Sequence, residues 1–139
     1  MLEIVFEDVD AVSFEHSSIL DWYSKVANQE EKVLGDLTII FCSDDYLLEV
    51  NREHLDHDYY TDIITFDYSD FPTVSGDLFI SVDRVKENAT DFNVSFEHEL
   101  QRVIIHGFLH LCGYFDKTNE DELLMRSKEN QSLSLIGFV

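Results

Sequence analysis

From Ser95 to Cys112 the sequence SFEHELQRVIIHGFLHLC carries apolar side chains around almost the whole circumference of a helix, broken by one polar stripe. At about 100° per residue, with His106 set at zero, His110 falls at about 40°, Glu99 at about 20° and Arg102 at about −40°. Leu100, Val103, Ile104, Ile105, Phe108, Leu109 and Leu111 fill the other sides. A helix of this kind is buried. Histidines inside it need partners for both ring nitrogens, or their desolvation is uncompensated. The chain must therefore supply a layer on nearly every side of this segment.

The flanking sequence offers those layers. LEIVF (2–6) reads as a strand, and His16 to Lys32 as a helix with Ile19, Leu20, Tyr23, Val26 and Ala27 on one face and Gly35 as its stop. LTIIFC (37–42) has the near-continuous apolar character of a strand buried on both faces. Ser43 is an N-cap for a helix over 43–54, with Asp44 and Asp45 in its first turn. Asp62 to Phe66 reads as a strand. A loop holding Pro72 and Gly76 then leads to the strand DLFISV (77–82). Asp83 to Asp91 is helical, and Thr118 with Asp121 opens a final helix running to about Ser134. Strands and helices alternate early and helices dominate late, which is the pattern of one α+β layer domain over 1–139.

Composition narrows the functional classes. The 139 residues suit one domain, and no apolar run is long enough to span a membrane. The start, MLEIVFEDVD, lacks a basic stretch followed by an apolar one, so the expected location is the cytoplasm. Cys42 and Cys112 are far apart and form no C-x-x-C pair, so both are expected to be reduced and buried. The formal net charge of −20 favours cations and argues against a broad nucleic-acid footprint.

The stripe on the buried helix points to a metal. Side chains at i and i+4 are neighbours, so His106 and His110 can converge on one ion. Gly113 is a natural helix terminator, after which Asp116 can return a carboxylate oxygen to the same place. A lone His-x-x-x-His is a weak signal; burial, the glycine and the aspartate strengthen it. Two histidines and one carboxylate leave one position open, the pattern of a catalytic ion, whereas a structural site is closed by four protein ligands. Cys112 falls at about 240°, on the other side of the helix, and is no obvious fourth ligand.

HGFLHLCGYFD (106–116) resembles the signature H-G-x-L-H-L-x-G-Y-D-H of the YbeY family of metal-dependent endoribonucleases. NREHLDHDYYTDIITF (51–66) resembles that family's N-x-x-Y-R…T-D-V-L-S-F block, and GDLFIS (76–81) its G-D-I-x-I-S. The resemblance implies a single zincin-like α+β domain with a small mixed four-stranded sheet covered by helices. It implies one Zn²⁺ on His106, His110 and position 116, and hydrolysis of single-stranded RNA in rRNA maturation and ribosome quality control. Ribosomal proteins are further expected partners; membranes and DNA are not. Two departures from the family bear on the site. Asp116 stands where histidine is usual, and this harder ligand admits Mn²⁺ or another divalent ion. Leu55 stands where the family has arginine; Arg52 and Arg102 are nearby alternatives, neither matching the motif.

An ion with an open position activates water and polarises a phosphoryl oxygen. Arg102, one turn before His106, is the candidate catalytic residue that steadies the developing negative charge; its alternative role is to pair with Glu99. Lys117 is the candidate phosphate contact, against an ordinary solvated lysine. Tyr59, Tyr60 and Phe66 are candidate base-stacking residues or sheet packing, Thr61 and Asp62 candidate supports of the site. His54, His57 and His98 read as ordinary surface or hydrogen-bonding histidines. A peptidase of the H-E-x-x-H kind needs a glutamate where this chain has Gly107. A non-enzymatic ribosome-assembly factor would instead close its ion with a fourth protein ligand.

Overall fold

The structure, a computed structural model, describes residues 1–11, 16–55 and 61–136. Leu2–Phe6 forms β1, His16–Gln29 α1, Val33–Cys42 β2 and Asp44–Val50 α2, which continues as one π-helical turn over Asn51–Leu55. Ile63–Asp67 forms β3, Thr73–Ser81 β4, Val82–Asp91 α3, Phe96–Leu111 α4 and Asn119–Ser134 α5. The sheet order is β1-β2-β4-β3, with β1, β2 and β4 parallel and β3 antiparallel to β4. This is the expected α+β architecture, a small mixed four-stranded sheet covered by helices.

The main core lies between one sheet face and α4, with α1 and α5 closing over it. Tyr23 of α1 stacks on Phe108 of α4 at 4.3 Å between centroids, and its hydroxyl donates to the Ile104 carbonyl at 2.9 Å. Trp22 donates its indole N–H to the Ser132 carbonyl at 2.8 Å, tying α1 to α5. On the opposite face α2 packs Leu47 and Val50 against Cys42 and Ile64 in a smaller cluster. Both cysteines are buried and free. Among the described residues no helix is long and apolar enough to cross a membrane.

Ser43, Ser95 and Thr118 cap α2, α4 and α5, each side chain accepting from a backbone N–H three residues on. Three boundaries differ from the sequence expectation. Gly35 does not stop α1: the helix ends at Gln29, Glu31 turns the chain at φ 57, and Gly35 lies inside β2. A Cβ there would stand 2.2 Å from Ser75 Oγ, so the glycine permits close approach of β2 and β4 at a register shift. Gly76 likewise belongs to β4, which starts at Thr73, because pairing on both edges extends the strand through it. The helix expected over 43–54 is α-helical to Val50 and then widens into the π turn.

Candidate metal centre

The end of α4 builds the site. Gly113 takes φ 107 and closes the helix as foreseen: its N–H donates to the His110 carbonyl at 3.0 Å, and Tyr114 N–H to the Leu109 carbonyl at 3.1 Å. This reverses the chain, so that Asp116 returns over the last turn. His106 Nε2 and His110 Nε2 lie 3.0 Å apart, and Asp116 Oδ2 stands 3.4 Å from each. The three residues named from the sequence are thus brought together, and among the described residues they form one group able to hold a metal ion.

Their other ring atoms fix the chemistry. His110 Nδ1 lies 2.9 Å from the Tyr114 carbonyl, which can only accept, so this nitrogen carries the proton. His106 Nδ1 lies 2.6 Å from Glu129 Oε2. Burial pushes the Glu129 carboxyl up, but its bond with His106 and the charges of His106, Arg102 and Arg126 outweigh this and hold it below the ordinary carboxylate range. An ionised Glu129 accepts, so His106 Nδ1 also donates. In the neutral rings both lone pairs then sit on Nε2, aimed with the Asp116 oxygen at one point, an arrangement able to receive a cation. Donor separations of 3.0–3.4 Å suit a tetrahedral ion, whose ligands at about 2.0–2.1 Å stand roughly 3.3 Å apart. Burial, reinforced by His106, lowers the His110 pKa, so the ring stays in its ligating form to lower pH.

Supports reach the centre from α4, α5 and the turns that follow α1 and α4. Tyr114, whose carbonyl orients His110, is anchored by its hydroxyl, which donates to Glu30 Oε2 at 2.6 Å; Lys128 meets the same carboxylate at 3.0 Å. Arg102 clasps Glu99 through Nε at 2.8 Å and Nη2 at 2.5 Å, and reaches Glu129 at 3.3 Å and Asp62 at 3.9 Å. Glu99 and Glu129 are each 2 % exposed. Burial alone would lower the arginine's pKa; its acidic neighbours hold it above the ordinary value, so its charge is permanent. The pairing with Glu99 is therefore present, while Arg102 also lines a cavity of about 590 Å³ beside His106 and Asp116.

Asn51, 1 % exposed at the start of the π turn, donates its amide to Thr61 Oγ1 at 3.2 Å. Asp62 accepts weakly from Asn88 at 3.4 Å and faces Arg102; burial raises its pKa. Asp62 thus touches a neighbour of the centre, Arg102, while Thr61 is held by Asn51. Phe66 packs edge-on to Phe79 in the smaller core, on the face away from α4, with His54 edge-on to it. Lys117 is exposed and His98 half-buried. His57, Tyr59 and Tyr60 lie outside the described residues.

A family model described as Endoribonuclease YbeY matches residues 5–137. The chain belongs to the YbeY endoribonuclease family. Curated YbeY relatives span almost the same length. "Endoribonuclease YbeY" of Flavobacterium psychrophilum is 52% identical over 128 residues, covering 92% of this chain and 91% of that one. That of Phocaeicola vulgatus is 48% identical over 137 residues, covering 99% of both. The solution structure of TM1509 from Thermotoga maritima superposes with a TM-score of 0.62 at 27% identity, covering 98% of this chain and 91% of that one.

Within this YbeY frame, sequence reasoning missed Glu129 and Tyr114 as orienting groups. Glu129 had a readable signal: with Met125, Ser132 and Leu133 it forms the buried stripe of α5, where a carboxylate is out of place unless paired. The packing also explains Gly107. A Cβ there would meet Ile63 Cδ1 at 2.6 Å and Leu78 Cδ2 at 3.0 Å, so a larger residue would have to displace the tips of both side chains.

Proposed function

We propose that this chain hydrolyses phosphodiester bonds in single-stranded RNA with one divalent ion, Zn²⁺ or Mn²⁺, held by His106, His110 and Asp116, and that its substrate is ribosomal RNA under maturation. The observation that carries the reading is the convergence of three lone pairs on one point beside an open cavity. Family membership supplies the reaction class. When bound, the ion polarises a phosphoryl oxygen and makes water a nucleophile near neutral pH.

The protein's own residues do the positioning. Glu129 and the Tyr114 carbonyl keep both Nδ1 atoms protonated and both Nε2 atoms free to ligate. Arg102 holds Glu129 in place and lines the cavity wall, its charge shared among Glu99, Glu129 and Asp62. Three further cations are paired with acids: Arg52 with Glu49, Arg84 with Asp44 and Glu87, Lys128 with Glu30. A chain with a formal net charge of −20 captures RNA weakly by itself, which favours delivery by ribosomal proteins.

The test is the His110→Ala variant assayed on single-stranded RNA with added zinc or manganese. Cleavage by the parent and loss of it in the variant are expected; equal cleavage by both would overturn the reading. The non-enzymatic assembly factor requires a fourth protein ligand, and the described residues group only three donors here.

A further inference from the structure

The cavity of about 590 Å³ beside His106 and Asp116 is walled by Arg102, Arg126, Glu122 and Leu123. Its volume is that of a small-molecule site, room for one nucleotide and far too little for a duplex. Two features of its α5 wall are unexplained by folding. Leu123 is 73% exposed, an apolar side chain of a helix left in water at the cavity. Arg126 keeps 55% of its side chain exposed and touches Glu129 through Nη1 alone, at 3.3 Å. Its other guanidinium nitrogens meet no side chain among the described residues. Arg102, by contrast, is 13% exposed and spent on three carboxylates.

Arg126 is therefore the cation on this wall able to bind something from solution. It also stands one carboxylate away from a metal-facing imidazole, since Glu129 touches Arg126 with one oxygen and His106 with the other. Resting on the ribonuclease reading, we propose that this cavity seats the nucleotide next to the scissile bond, with Arg126 binding its backbone phosphate and Leu123 covering its base. A guanidinium fork suits a phosphate, and an apolar contact accepts any base face. The cavity therefore selects a flexible single strand without reading its sequence. Glu122, exposed on the same wall, opposes the phosphate and keeps the capture weak.

The experiment mixes zinc-loaded protein with a fluorescein-labelled single-stranded RNA in a stopped-flow cell, reading anisotropy before cleavage at several salt concentrations. Zinc content is measured alongside. Arg126→Ala is expected to weaken binding about tenfold at low salt, as loss of a charged hydrogen bond does. It should also flatten the slope of log K against log salt by about 0.7. Arg126→Lys should recover most of the binding, and Glu122→Gln should tighten it. Unchanged binding and slope in Arg126→Ala would overturn the proposal. So would lost zinc with RNA binding intact, which would make Arg126 merely a prop for Glu129. Parent protein that binds RNA through Arg126 but never cuts it would leave this subsite standing and sink the ribonuclease reading instead.

Discussion

Glu129, near the end of the last helix, accepts a hydrogen bond from His106 Nδ1 across 2.6 Å while remaining 2 % exposed. A buried carboxylate survives there because Arg102 and Arg126 share its second oxygen. The contact links α5 to the polar stripe of α4 and makes the last helix part of the candidate metal centre.

Glu129→Gln removes that charge at nearly constant shape. Metal affinity should fall about 10- to 100-fold, as for other groups that orient a ligand imidazole, measured by competition with a chromophoric chelator. Affinity equal to the parent's would show that Glu129 does not set the ring. Glu129→Ala should also lose roughly 3–5 kcal/mol of folding stability, because Arg102 is left buried with less compensation.

Acid should weaken the metal-free protein in two stages. The folded-state pKa values of His110 and Glu129 both lie below their ordinary ones, so the unfolded chain binds more protons as pH falls. Stability from each is present above its ordinary value and lost as pH drops through the lowered one: below 6.5 for His110, below 4.5 for Glu129. Thermal unfolding across pH should show both losses, and Glu129→Gln should flatten the lower stage. Asp62 works in the opposite sense, because burial raises its pKa, so the diagnostic is the difference between parent and Glu129→Gln: an identical acid profile in both would contradict the sign assigned to Glu129.

Gly107→Glu would build the histidine–glutamate pattern of a peptidase. The new side chain would have to push aside the tips of Ile63 and Leu78, and its carboxylate would be buried unpaired. A loss of about 3 kcal/mol or more in urea unfolding is expected, with no peptidase activity. A variant as stable as the parent would show that α4 can lift from the sheet.

Cys42 and Cys112 are buried, and burial with neighbouring acids pushes each thiol up to about 12. Neither should react with a thiol reagent at pH 8 in the folded protein, and two per chain should react in urea. Fast labelling of the native protein would contradict this burial.

The centre was legible because it is local. His106, His110, Gly113 and Asp116 lie within eleven residues, and helix periodicity with one glycine corner decides their geometry. The same holds for the caps at Ser43, Ser95 and Thr118. What failed was set by distant pairing. Gly35 and Gly76 look like breakers until β2 and β4 lie side by side, where their missing Cβ atoms become the point. The hydrogen bond between His110 and Tyr114 is local, but Glu129 is brought to His106 across 23 residues, and the buried stripe of α5 marks this carboxylate as paired without saying with what. At the π turn, the buried Asn51 amide likewise meets a residue outside its own helix, Thr61.

Growing crystals with zinc or manganese and mapping the ion by its anomalous scattering tests the centre most directly. Density is expected in contact with His106 Nε2, His110 Nε2 and an Asp116 oxygen, with no fourth protein ligand and one side open to the cavity. An empty pocket at saturating metal, or an ion wholly enclosed by protein atoms, would contradict the account.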